Sequence, residues 1–194
     1  MALSQEQEET IRRIVWSGMW SRSRLVAIAT EEMYVPEEID ADEAVAFIDR
    51  EIGAKSLEER SWPAKTDGDR LRELFELLNN AGLVALMNAG NTISDGLEDV
   101  DDGCRRRGGP GPKAFGFCFF HSQDLDRAQQ GGGLFLAFGD FAGEEQKDGA
   151  VGALVVERAN AVGLSVDWPG NAKKRIHLTP FVWQMRGMPL DDAD

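Results

Sequence analysis

The sequence predicts an α/β fold: a mixed, largely parallel sheet of about five strands with packed helices, preceded by a helical amino-terminal region. Three observations lead there. Apolar residues recur at helical spacing through residue 61, and from Trp62 onward helical patterns alternate with short apolar runs. The run "FGFCFF" places Phe115, Phe117 and Phe119 on one side and Cys118 and Phe120 on the other, so both faces of that strand need cover. An α+β, ferredoxin-like arrangement is the rival. The expected divisions are a helical region over 1–61, an α/β core over 62–186 and an acidic tail over 187–194.

The first helix opens at Ser4 with Gln7 three residues on, the spacing of a capping box, and sets Ile11, Ile14, Val15 and Met19 in register. A second, with Leu25, Val26, Ile28 and Ala29, should stop before Pro36, because proline disfavours a helical residue ahead of it. Asp40 caps a third through Glu43, with Val45, Ile48 and Ile52 as its inward stripe. Beyond Trp62, Thr66 and Asp69 start a helix whose apolar face is Leu71, Leu74, Phe75 and Leu78, and Gly82 suits the left-handed position past its end. The run "LVALM" reads as a buried strand. In "DGLEDVDDGCRRR", Leu97, Val100 and Cys104 align, and acids first with Arg105 to Arg107 last complement the helix dipole. A solvated helix end therefore explains the arginines better than a nucleic-acid patch does.

The segment from Phe115 to Phe141 follows as strand, short helix and strand. Its connection, His121 to Gly133, is close to the dozen residues that a crossover to a parallel neighbour requires. A further helix carries Val151, Leu154, Val155 and Ala159, and "LSVDW" with "RIHL" forms a terminal antiparallel hairpin.

Charge narrows the partners. Thirty-four acidic against 21 basic residues give a formal net charge of −13, which repels phosphate backbones and anionic lipid. The helical start carries 14 acidic and 8 basic residues through Thr66, a poor match to a helix-turn-helix DNA reader. No apolar run approaches the roughly 20 residues that span a bilayer, and "MALSQEQEET" does not read as a signal peptide, so a cytoplasmic protein is expected. Two cysteines and two histidines make neither a disulfide frame nor a zinc site, and no cofactor is implied.

A largely parallel sheet would gather the residues after its strands on one rim, where open α/β sheets place ligand crevices. Those residues are Asn88, His121 and Asp140, joined by Asp95, Gln123, Asp124 and Arg127. His121 and Asp124 are the catalytic candidates, since imidazole is the side chain best suited to acid–base work near neutral pH. Asp124 and Arg127 can pair, being three apart on a helix. Against catalysis, Ser122 reads as a helix cap rather than a nucleophile, and no Gly-x-Ser-x-Gly elbow is present. Gly131 to Gly133 precede a strand, whereas a phosphate loop follows one, so they serve helix termination and close backbone approach. His177 should point away from the face that carries Ile176 and Leu178.

The stretches "SWPAKTDGDRL", "AGLVALMNAGNTISDG", "FCFFHSQDLDRAQQGGGLFLAFGDF", "VDWPG" and "RIHL" resemble the successive motifs of a family of bacterial proteins catalogued as a domain of unknown function. The resemblance runs from Trp62 to Arg186 and is most specific over His121 to Phe141. Asn91 departs from it, standing where an aromatic residue is expected. It implies a bacterial cytosolic protein and no particular reaction. Two functions are expected from the residues: a non-enzymatic binding protein with an acidic surface, of which an immunity-type inhibitor of a basic partner is one form, or a small-molecule binder or hydrolase using the polar rim around His121.

Overall fold

The computed structural model describes residues 2–35 and 38–190. Pro36, expected to stop the second helix, and the acids Asp191, Asp192 and Asp194 of the expected tail lie outside the described residues. The chain divides into two compact units: Met1–Thr66 with Gln184–Asp194, and Asp67–Trp183.

In the first unit, helix α1 (Gln5–Ser17) begins on the expected capping box: Gln7 N donates to Ser4 Oγ at 3.2 Å and Ser4 N donates to Gln7 Oε1 at 2.8 Å. Helix α2 (Arg22–Ala27) relaxes into a π-helical turn over Ile28–Glu32. Asp40 caps α3 (Ala41–Glu58) by accepting from Glu43 N at 3.2 Å. Ile11, Val15, Leu25, Ala29, Phe47 and Ile48 form the core. The buried stripe of α3 is rotated from the expected one: Ala44, Phe47, Ile48, Glu51 and Lys55 point inward, and Val45 and Ile52 are half-buried. Two charges thus lie where apolar residues were expected, and both are paired. Glu51 accepts from Trp16 Nε1 at 2.9 Å and meets Arg12 at 3.2 Å. Lys55, 2% exposed, donates to Glu59 Oε1 at 2.5 Å and to the carbonyls of Met185 and Gly187 at 2.8 and 2.9 Å. Burying an ammonium is costly unless its donors are met, and Glu59 together with the returning segment meets them.

The second unit alternates helix α4 (Asp67–Asn80), strand β1 (Leu83–Leu86), α5 (Ile93–Arg106), β2 (Gly116–Phe119), α6 (Ser122–Gln129), β3 (Leu134–Asp140), α7 (Glu145–Ala161), β4 (Val166–Asp167) and β5 (Ile176–Leu178). The sheet order is β1-β2-β3-β5-β4. α4 and α7 pack on one face of this sheet, and α5 and α6 on the other. Phe117 and Phe119 lie toward α5, and Cys118 and Phe120 lie on the opposite face, Phe120 meeting Phe75 of α4 edge to face. Both faces are covered, as the Phe-rich strand requires.

Strand direction corrects the sequence expectation. Only β1 and β2 run parallel; the β2–β3, β3–β5 and β4–β5 pairs are antiparallel, so the sheet is mixed rather than largely parallel. The segment His121 to Gly133 is not a crossover. Phe119 stands opposite Ala137, so β3 starts beyond the carboxyl end of β2 and runs back along it. The eight-residue α6, about 12 Å long at 1.5 Å per residue, lies over β3, and the glycine turn sends the chain back at the edge it has just left.

Candidate functional site

The antiparallel return divides the expected rim. Asn88 and His121 follow the parallel strands β1 and β2 and stay together, whereas Asp140 pairs with Gly116 at the opposite end of the sheet. There its carboxylate is occupied as a turn former, accepting from Ala142 N at 2.5 Å and Glu144 N at 3.0 Å. It borders an open groove of about 460 Å³ with Phe115, Phe141, Lys147 and Val151.

At the other end, the loop after β1 needs two left-handed residues, Asn88 at φ 55° and Gly90 at φ 58°. Asparagine tolerates that region better than other residues with a side chain, and a Cβ at Gly90 would come within 2.3 Å of Asp95 Cβ. The loop is tied to the exit of β2: Ala89 N donates to Phe120 O at 2.8 Å, and Ser122 N to Gly90 O at 3.1 Å. Ser122 Oγ lies 3.1 Å from Asn88 Oδ1 and 3.0 Å from Gly90 O, one proton serving both. Asp95 Oδ2 accepts from the backbone N–H groups of Thr92 and Asn91 at 2.9 and 3.1 Å, and these bonds hold its carboxyl below the usual range. It completes a capping box with Thr92. Gln123 is exposed on α6.

His121 occupies the cap position of α6, one residue ahead of the expected Ser122, and makes no capping bond. Its Nε2 lies 3.1 Å from Asp124 Oδ2. The imidazole is 4% exposed, and its Nδ1 has no hydrogen-bond partner. Burial pushes the His121 pKa below its ordinary value; the carboxylates of Asp124 and Asp95 pull it upward, while Arg175 and Arg127 add to the depression. The neutral ring suits its surroundings, because a second N–H at Nδ1 would be buried without an acceptor.

Asp124 is fully buried and is the hub. Arg175 Nη1 donates to both of its oxygens, at 3.0 and 2.8 Å, and Arg127 Nη1 to Oδ1 at 3.3 Å. The expected Asp124–Arg127 pair is therefore present, and Arg175 enlarges it. Both guanidinium carbons lie over the Phe135 ring, at 5.2 and 5.0 Å from its centroid, and that ring stacks on His177 at 4.1 Å with an interplanar angle of 1°. His177 does lie away from the face of the buried Ile176 and Leu178, and its Nε2 is 3.1 Å from Gly132 O. Phe135 and Arg175 escaped the sequence reading, which gave the face of His177 but not its place in this cluster. One signal was available: Arg175, immediately ahead of β5, alternates with His177, which places both on the His177 face.

Arg105 to Arg107 do not behave as one solvated end. Arg105 pairs with Asp102, whereas Arg107 turns in to donate to Leu83 O and Asn79 Oδ1, both at 2.6 Å. Among the described residues, no cluster of three or more His, Cys, Asp or Glu could hold a metal ion, and no helix is long and apolar enough to cross a membrane.

No curated protein and no solved structure matches this chain. A family model does, over residues 2–187, and so takes in the amino-terminal helices as well as the motifs around His121. The chain belongs to the family described as Domain of unknown function (DUF6891).

Proposed function

We propose that this is a non-enzymatic, cytosolic bacterial binding protein whose acidic surface meets a basic protein partner, as an immunity-type inhibitor meets its toxin. The observation that carries the reading is the outward face of α5. Ile93 and Leu97, four residues apart and 38% and 40% exposed, stand beside the exposed acids Glu98, Asp99 and Asp101. The sequence pattern had placed Leu97 inward with Val100 and Cys104, yet only the latter two are buried. An apolar pair bordered by carboxylates suits a partner with an apolar centre and a basic rim.

Binding is favoured over hydrolysis because the candidate catalytic groups are committed to one another. A general acid or base has to reach the substrate proton. His121 is almost wholly buried against Asp124, and Asp124 is saturated by two arginines.

The test is affinity capture from a bacterial lysate with the wild type and with a Glu98→Lys/Asp99→Lys/Asp101→Lys variant, at low salt and at about 0.5 M salt, where exposed charges are screened. Basic proteins retained by the wild type at low salt should be lost from the variant. An identical retained set for the two chains would remove the reading.

A further inference from the structure

In a chain of net charge −13, the α6 side of β3 and β5 gathers two arginines on one buried carboxylate. Asp124 supplies one negative charge, Arg127 and Arg175 supply two positive ones, and the depressed His121 stays neutral. Within this trio one positive charge is left over, with Asp95 and Asp167 as the nearby acids. The guanidinium side chains are not sealed in: Arg127 is 47% and Arg175 33% exposed.

Each guanidinium has five N–H donors in a fixed plane. Asp124 engages only Nη1 of each. Among the described residues, no protein acceptor takes the Nε or Nη2 donors of either arginine. Two forks are thus held side by side, fixed at one nitrogen by a buried carboxylate and steadied against an aromatic ring, with their other donors toward solvent.

The neighbouring backbone is shaped to allow this. A Cβ at Gly132 would lie 2.6 Å from Arg127 Cγ, and one at Gly133 would lie 2.3 Å from His177 Nε2. The bare glycines let Arg127 and His177 close on Phe135. The buried carboxylate holds both guanidinium ions, and the trio keeps a net charge of +1 that an added anion would neutralise.

We propose that Arg127 and Arg175 form a receptor for a small oxyanion, the carboxylate or phosphate group of a low-molecular-weight ligand. Planar bidentate recognition of such groups is what arginine does better than lysine, and forks already held in place lose little further freedom on binding. Asp124, Phe135 and His177 are positioning residues in this site. The site is independent of the α5 surface, and either can fail without the other.

The experiment is a nitrogen–proton NMR titration of the full chain at low ionic strength, with inorganic phosphate and, separately, succinate. It reads the Nε–Hε resonances of all arginines. Saturable shifts confined to Arg127 and Arg175 are expected with at least one anion; a response to phosphate alone, to succinate alone or to both assigns the ligand group. Arg127→Gln, at the more exposed position, leaves Asp124 with both Arg175 bonds and so preserves the fold, checked by an unchanged circular dichroism spectrum. It should weaken binding by about tenfold, the loss of one charge-assisted contact. Arg175→Lys, which keeps the charge and removes the planar fork, should weaken it comparably. Shifts that fail to saturate, that spread over all exposed arginines, or that persist undiminished in folded Arg127→Gln would overturn the proposal.

Discussion

His121 titrates against the fold. Its folded pKa lies below 6.5 because burial disfavours the imidazolium, while in the unfolded chain it takes a proton at about 6.5. Below that value the unfolded state binds more protons, so the contribution of His121 to stability is complete above about pH 6.5 and is lost as pH falls toward the depressed folded value. The slope from one such group is at most about 1.4 kcal/mol per pH unit. Melting temperature measured from pH 8 to pH 5 should fall more steeply for the wild type than for His121→Gln, whose amide can still donate to Asp124. Parallel curves would assign the acid sensitivity elsewhere. At this scale the sequence was legible where the partners are local: His121 at the cap of α6 and Asp124 and Arg127 within it are spaced by three, which brings them together. Arg175 arrives from 51 residues further on, brought in by strand pairing that no local pattern encodes.

The three glycines divide by what surrounds them. Gly131, at φ 81°, has open space where a Cβ would go; Gly133, at φ 69°, has His177 Nε2 at 2.3 Å and Leu178 O at 2.8 Å. Gly131→Ala should cost about 1–2 kcal/mol, the penalty of a left-handed residue with a side chain. Gly133→Ala should cost clearly more, because the Cβ also displaces the histidine or the strand. Chemical denaturation of the two variants checks the order, and equal losses would mean that backbone conformation alone requires glycine at both. The same turn explains why strand direction was illegible. Alternation of apolar residues is identical in parallel and antiparallel strands, and a connection of about a dozen residues sits at the length where either is feasible. Capping, in contrast, was readable at Ser4, Asp40 and Gly82, because it depends on neighbours in the chain.

For the whole molecule, apolar periodicity carried the expectation of helices followed by alternating helices and strands, yet nothing in it marked the segment after Trp183 as part of the first unit. That membership rests on tertiary bonds, foremost those of Lys55. Removing its side chain leaves the carbonyls of Met185 and Gly187 without the ammonium and leaves Glu59 Oε1, of these two donors, with Gly187 N alone. Lys55→Ala should therefore destabilise the first unit by about 3–5 kcal/mol. Amide hydrogen exchange, read helix by helix, should place the loss in α1 and α3. Protection there equal to the wild type would show that the ammonium is dispensable.

The acceptors of Lys55 also set an order of events during synthesis. Met185 O lies 130 residues downstream of the ammonium it receives, and the sequence of the second unit is complete at Trp183, before that carbonyl has been made. On the ribosome the sheet can assemble while the helical unit still lacks its final piece. The helices made ahead of the sheet are thus the ones that wait longer for their fold.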